Sequence, residues 1–301
     1  MLRLDKNVVM LWLMALALAV VILISRHLIA HGLHPIHMAL IQALGSFVSI
    51  LAVRRGTLPT AASLRNHARY FGWASLLGFT LPNLIVFSAV PHTGVGLATL
   101  AHTMPLVVAY FIALSLRVES FHAGKMLFLA VTVAGAGLFA LTRLGVGSGG
   151  ITPWHGLLFL APISIGIANI YRSMVWPTGL RPTEVALATT LVATLTFTAL
   201  ALVLPVQTPL PFFFDAGHLA LLALFMGLAG LGQLLLFHLQ DAAGPVFIGQ
   251  TGALVALFGG VLGFVFFGET YSAVTLLGSL LIILGVYKYC QISADLALAR
   301  R

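Results

Sequence analysis

Residues 87–135 read FSAVPHTGVGLATLAHTMPLVVAYFIALSLRVESFHAGKMLFLAVTVAG, and their reading decides the fold. A Pro-His-Thr-Gly turn ending at Gly94 leads into an apolar helix that carries His102 and Pro105. A short polar turn over 117–119 then leads into another apolar helix. Much of this pattern returns 150 residues later without a gap. Phe87 is answered by Phe237, Gly94 by Gly244, Glu119 by Glu269, Ser120 by Thr270, Phe121 by Tyr271, Ala123 by Ala273 and Gly135 by Gly285. The chain reads as one unit written twice.

The 301 residues are 60% hydrophobic and 7% charged, with a mean hydropathy of +1.08. Soluble domains carry about 25% charged residues, so lipid must solvate most of this chain. No large soluble domain fits between the apolar runs. The single cysteine, Cys290, excludes a disulfide framework within the chain and gives no metal signal. The net charge of +8 invites a nucleic-acid reading. The basic residues, however, fall in loops between apolar runs, where membrane topology explains them. Arg3 and Lys6 precede an apolar run from Val8 to Ile24, as in a signal peptide. No small-residue cleavage site follows, so the run is read as the first spanning helix.

Crossing about 30 Å of hydrocarbon takes about 20 mostly apolar residues. Ten such runs are expected, at 7–29, 35–53, 69–90, 93–116, 122–142, 154–177, 182–204, 215–239, 244–267 and 271–291. With the N-terminus inside, thirteen of the 15 lysines and arginines fall in or near cytoplasmic segments, leaving Arg26 and Arg143 on the other side. Both termini are therefore expected in the cytoplasm. Five helices per half is an odd number, which turns the second half upside down relative to the first. Inverted repeats of this kind build secondary transporters, with a site near the midplane between the halves. The expected halves are 1–145 and 151–301, joined by a glycine-rich linker at 146–150.

The segments FSAVPHTGVGLATLAHTMP, RVESFHAG and VAGAGL in the first half pair with FHLQDAAGPVFIGQTGALV, FGETYSA and LLIILGV in the second. In these segments the chain resembles the drug/metabolite transporter superfamily, in its EamA-type branch of ten-helix exporters. The resemblance covers essentially the whole chain, and its motifs specify architecture rather than substrate. It implies export or facilitated passage of small metabolites, such as amino acids, across a bacterial inner membrane. Two departures stand out. Pro105 is answered by Val255 where the family usually carries proline in both halves, so the second half would bend less at that point, or bend instead at Gly249 or Gly252. Gln42 stands where the family often has arginine.

Polar side chains at membrane depth face a bundle interior or a water-filled cavity, so each is a candidate for the site. His102 and Thr103 lie just before Pro105, whose missing N–H frees a carbonyl one turn back. An imidazole there can bind substrate or relay protons, or be satisfied by its own helix. Asn83 follows Pro82, and Thr99 shares a face with His102 and Thr103. In the second half Gln233, Gln250 and Thr251 occupy the equivalent helices. These amides can hold a zwitterion or simply bridge helices. Arg26 and Arg172 stand near the far ends of the first helix of each half. They either snorkel to the interface or attract an anionic group at the mouths of the path, with Asn169 and Tyr171 beside Arg172. Glu119 and Glu269 suit helix capping or gating. His27, His31, His34 and His37 cluster at the first external turn, but no carboxylate or cysteine stands near them in sequence, and no metal is assigned.

The sequence thus predicts an all-α membrane protein of ten helices in two inverted five-helix repeats, acting as a secondary transporter by alternating access. Its expected partners are a small-molecule substrate, the lipid bilayer and, through His102, protons. Nucleic acid and cofactors are not expected, and the chain is read as a monomer or weak homodimer. Pro82, Pro105, Gly249 and Gly252 are the expected hinges. The rival readings are a non-transporting scaffold or sensor, whose interior would be filled, and an intramembrane enzyme. The enzyme would need a partner for His102 at similar depth, and no catalytic constellation is evident.

Overall fold

Hydrocarbon offers the backbone no hydrogen-bond partners, so a chain this apolar has to satisfy its amides within helices. The computed structural model describes residues 6–117, 120–144, 152–268 and 272–299, and among them there is no strand. The helices are α1 (Lys6–Ala30), α2 (Pro35–Val53), α3 (Ala61–Asn66), α4 (Ala68–Ser75), α5 (Leu81–Ala101), α6 (Met104–Ser115) and α7 (Ala123–Leu144). They continue as α8 (Pro153–Leu158), α9 (Leu160–Met174), α10 (Pro182–Val203), α11 (Ala216–Gly249), α12 (Thr251–Phe267) and α13 (Ala273–Ala299). A π-helical turn, Leu76–Thr80, joins α4 to α5, and a 3-10 turn, Leu210–Phe214, precedes α11.

Among the described residues eight helical spans are long and apolar enough to cross a membrane. They are Lys6–Ala30, Pro35–Val53, Ala68–Gly94, Pro153–Met174, Pro182–Val203, Ala216–Pro245, Phe247–Phe266 and Ala273–Ser293. The chain is an all-α, multi-pass membrane protein. The expected runs at 93–116 and 122–142 are the two outside that set. The first is divided at His102 and Thr103, between α5 and α6. The second is α7, whose apolar stretch over the searched residues is Ala123–Leu138. The linker at 146–150, Glu119, Glu269, Arg3, Arg300 and Arg301 lie outside the described residues.

Local chemistry sets several helix ends. Proline's fixed φ suits the first turn of a helix, and Pro35 and Pro182 open α2 and α10. The imidazole of His34 caps α2 by accepting from the Ile36 N–H at 3.2 Å. Glu184 reaches back to accept from the Arg181 N–H at 2.9 Å, and its other oxygen pairs with Arg54 at 3.2 Å, joining the end of α2 to the start of α10.

Two glycines interrupt the long helices. Gly94 in α5 has φ 76° and ψ 167°, and Gly244 in α11 has φ 80° and ψ 178°. Positive φ at so extended a ψ is essentially reserved for glycine, so each residue can turn the chain where any other residue would strain the backbone. The two stand at equivalent positions of the sequence repeat.

Packing follows from helices that are apolar on every side. α1 lies along α11 and α12, α9 along α5, α6 and α11, α2 along α10 and α11, and α7 along α13. At this last contact a Cβ on Gly135 would fall 2.6 Å from the Gly278 carbonyl oxygen. In return, a Cβ on Gly285 would fall 2.8 Å from the Phe128 carbonyl oxygen. The early part of each helix therefore meets the late part of the other, so α7 and α13 run antiparallel.

Candidate functional site

Three breaks in the helical ladder, the π turn and the α5/α6 and α11/α12 junctions, border a cavity of about 100 Å³. That is below the 300–1,000 Å³ typical of pockets for drug-sized ligands. α1 contributes Met14 and Leu18, and α2 contributes Gln42. The π turn and α5 bring Gly78, Pro82 and Asn83, and the break between α5 and α6 brings His102 and Pro105. Asn169 and Arg172 come from α9, Gln233 and Gly249 from α11, and Thr251, Gly252 and Val255 from α12.

Arg172 dominates the electrostatics. It is 1% exposed and lines the cavity, instead of snorkelling to an exposed helix end. The reason is local. Pro82 has no N–H to offer the carbonyl four residues back, which belongs to Gly78, and the π turn over Leu76–Thr80 widens the helix there. Gly78 presents no side chain, and a Cβ at that position would overlap the Arg172 guanidinium. The recess admits the arginine. Its Nη1 donates to Asn169 Oδ1 at 3.4 Å and its Nη2 to the Ala74 carbonyl at 3.3 Å, while the guanidinium lies 5.2 Å over the Phe237 ring. No carboxylate among the described residues pairs with it.

Orphaned polar atoms gather around this charge. Among the described residues Arg172 Nε, Gln42 Oε1, Gln233 Oε1 and Thr251 Oγ1 are buried without a hydrogen-bond partner, and all four residues line the cavity. A buried unpaired polar group costs about 1–3 kcal/mol, and native structures keep few of them. These four border one cavity, where a polar ligand or water would answer them.

His102 is half committed. Its Nδ1 lies 2.9 Å from the Ala98 carbonyl. A carbonyl can only accept, so Nδ1 carries the hydrogen and Nε2 keeps its lone pair. Its own helix thus holds the ring and leaves one nitrogen to act as an acceptor in the cavity. Asn169 is held from both sides, because its backbone carbonyl accepts from Gln240 Nε2 at 3.0 Å. Gln240 also bonds the Ser173 hydroxyl.

Of the residues singled out in sequence, Asn83, His102, Asn169, Arg172, Gln233 and Thr251 line the cavity, together with Pro82, Pro105, Gly249 and Gly252. Thr103 and Gln250 are buried beside it. Tyr171 stacks on Tyr70 at 5.7 Å between ring centres and does not line it. Arg26 is half-buried near the end of α1, and the Thr99 side chain lies outside the described residues. Gln42 belongs to the cavity. In sequence it registered only as a missing arginine.

Gly249 and Gly252 serve close packing. A Cβ on Gly249 would fall 2.8 Å from the Leu106 Cα, and one on Gly252 would overlap the His102 carbonyl. No protein-family model and no curated protein matches the chain. A solved structure described as "Crystal structure of protein" superposes on 94% of this chain and 98% of its own length, with a TM-score of 0.68 at 19% identity. At that identity the likeness concerns the fold.

Proposed function

We propose that the protein is a secondary carrier that moves small organic metabolites such as amino acids by alternating access. The observation that carries this reading is the set of four unpaired polar atoms, one of them on a buried guanidinium, around a single cavity. In this account the substrate carboxylate answers Arg172, and the amides of Gln42, Asn83 and Gln233 hold its amino and polar groups. The carrier belongs to the drug/metabolite transporter superfamily, in its EamA-type branch. It needs no cofactor and performs no covalent chemistry. It sits in a bacterial inner membrane with both termini in the cytoplasm, as the distribution of lysine and arginine favours.

Ten helices in two inverted halves are part of the same proposal. Its support is reciprocity. Gly135 meets Gly278 while Gly285 meets Phe128, and each contact becomes the other when 150 is added to one residue and subtracted from its mate. α1 packs on α11 and α12, as α9 packs on α5 and α6. A two-fold relation generates contacts of this self-complementary kind. Rocking of one half against the other, with Pro82, Pro105 and the glycine breaks as hinges, would expose the cavity to either side in turn.

A scaffold or sensor would gain nothing from leaving Arg172 and three further groups unanswered in the core, which weighs against that reading. Counterflow in proteoliposomes, with labelled amino acids, nucleosides and cationic amphiphiles and with or without a pH gradient, tests the carrier. Exchange of an amino acid is the expected result. If no solute exchanges under either condition, the reading is wrong.

A further inference from the structure

The four histidines of the first turn do not act as a group. His34 caps α2, and its backbone N–H donates to Thr208 Oγ1 at 3.1 Å, while His37 Nδ1 bonds the same hydroxyl at 2.7 Å. His27 and His31 part from them and meet His218, in the first turn of α11. One ligand-capable nitrogen from each of these three rings lies within 4.8 Å of the other two. His27 and His31 are four residues apart, which puts them on one face of a helical turn, with ring centres 4.2 Å apart. The His31 and His218 ring centres are 5.5 Å apart.

The tautomers suit metal binding. His31 Nδ1 lies 2.8 Å from the His27 carbonyl, and His218 Nδ1 lies 3.3 Å from the Phe212 carbonyl. Both carbonyls can only accept, so both Nδ1 atoms carry hydrogen and both Nε2 lone pairs are available. Metal-binding histidines are held in this way, with the second ring nitrogen donating to a carbonyl or carboxylate. The His218 ring is further fixed by stacking on Phe212, with centres 4.5 Å apart. Asp215, whose side chain caps α11 by accepting from the His218 N–H at 2.8 Å, stands 3.9 Å from the same Nδ1. The Asp215 carboxylate thus stands beside the His218 ring.

We propose that His27, His31 and His218 form a three-imidazole site for a divalent transition-metal ion of the zinc type, which fastens the end of α1 to the start of α11. Imidazole nitrogen is a preferred donor for zinc, copper and nickel. A tetrahedral zinc site with Zn–N bonds of about 2.0–2.1 Å separates its nitrogens by roughly 3.4 Å. Small ring rotations about these hydrogen bonds must therefore draw the three together, and His31 is the exposed member. Three imidazoles leave the fourth tetrahedral position to a water ligand. This site is independent of the carrier reading, because it uses none of the cavity residues.

The test uses the full chain, purified in detergent without a polyhistidine tag, titrated with Zn2+ by calorimetry and with Co2+ by its visible absorption. One ion per chain is expected. Loss of one ligand should cost at least what loss of an outer-shell partner costs, roughly tenfold in affinity. His218→Ala and His31→Ala should both show this loss, and His37→Ala should bind as the wild type does. His31 is exposed, so its variant decides the matter even if His218→Ala misfolds. The absence of saturable one-to-one binding in the wild type would overturn the proposal, as would unchanged affinity in His31→Ala. Weakened binding in His37→Ala would do the same by moving the site to the other pair.

Discussion

The carbonyl oxygen of His102 occupies the space that a β-carbon on Gly252 would need. These two residues are equivalents in the sequence repeat, 150 positions apart; His102 lies at the break between α5 and α6, and Gly252 in the first turn of α12, just after the break at Gln250. The path of the chain at one break is therefore held by the absence of a side chain beside the other. Gly252→Ala forces the crossing apart and should destabilise the protein by about 1–3 kcal/mol, the usual cost of overpacking a well-packed core. Gly252→Val should do so more severely. Thermal unfolding in detergent, followed by loss of a monodisperse elution peak, measures both.

Gly78 tests the recess of Arg172. A methyl group there overlaps the guanidinium, so Gly78→Ala should displace the arginine while leaving its charge on the chain. Exchange of a carboxylate-bearing substrate should fall by about tenfold or more, which corresponds to about 1.4 kcal/mol. Membrane insertion should be normal. An unchanged exchange rate in proteoliposomes would show that the position of the guanidinium does not matter.

His102 separates packing from chemistry. His102→Ala removes both ring nitrogens from the cavity and should lose exchange by about tenfold, with normal insertion, as expected when a buried hydrogen-bond partner is deleted. His102→Gln returns an amide and should recover part of the rate. If Ala and Gln exchange equally well, the ring only fills space.

Arg54 gives a contrasting prediction. Its pair with Glu184 is partly exposed, with side chains 12% and 23% accessible, and pairs of this sort contribute about 0.2–1 kcal/mol. Arg54→Ala should lower the unfolding temperature slightly and leave exchange unaltered. A loss of exchange would mean that this joint between α2 and α10 takes part in the transport cycle.

Much of this was legible in sequence, because bulk composition and local backbone rules govern it. The apolar runs predicted a helical membrane protein, and the equivalence of Gly94 and Gly244 in the repeat is matched by the same positive-φ, extended conformation inside their helices. Prolines and amides at membrane depth pointed to Asn83, His102 and Gln233, since lipid tolerates none of them for long. Arg172 was misjudged for a physical reason. An arginine near a helix end normally snorkels, and only tertiary structure shows that Gly78 and a π turn open a recess for it. Tyr171 stacks on Tyr70 and does not line the cavity, a pairing between distant segments that sequence spacing does not show. Gln42 was noticed only as a lost charge. The link from His31 to His218 joins distant parts of the chain, where no spacing rule operates.

The most direct measurement compares counterflow of a labelled amino acid with that of its carboxamide, in wild-type protein and in Arg172→Gln. The account predicts that the wild type exchanges the amino acid and discriminates against the amide. In Arg172→Gln, amino-acid exchange should fall by at least about tenfold, or about 1.4 kcal/mol, and the discrimination should disappear. Wild-type exchange of the amino acid by Arg172→Gln, with the discrimination intact, would contradict it.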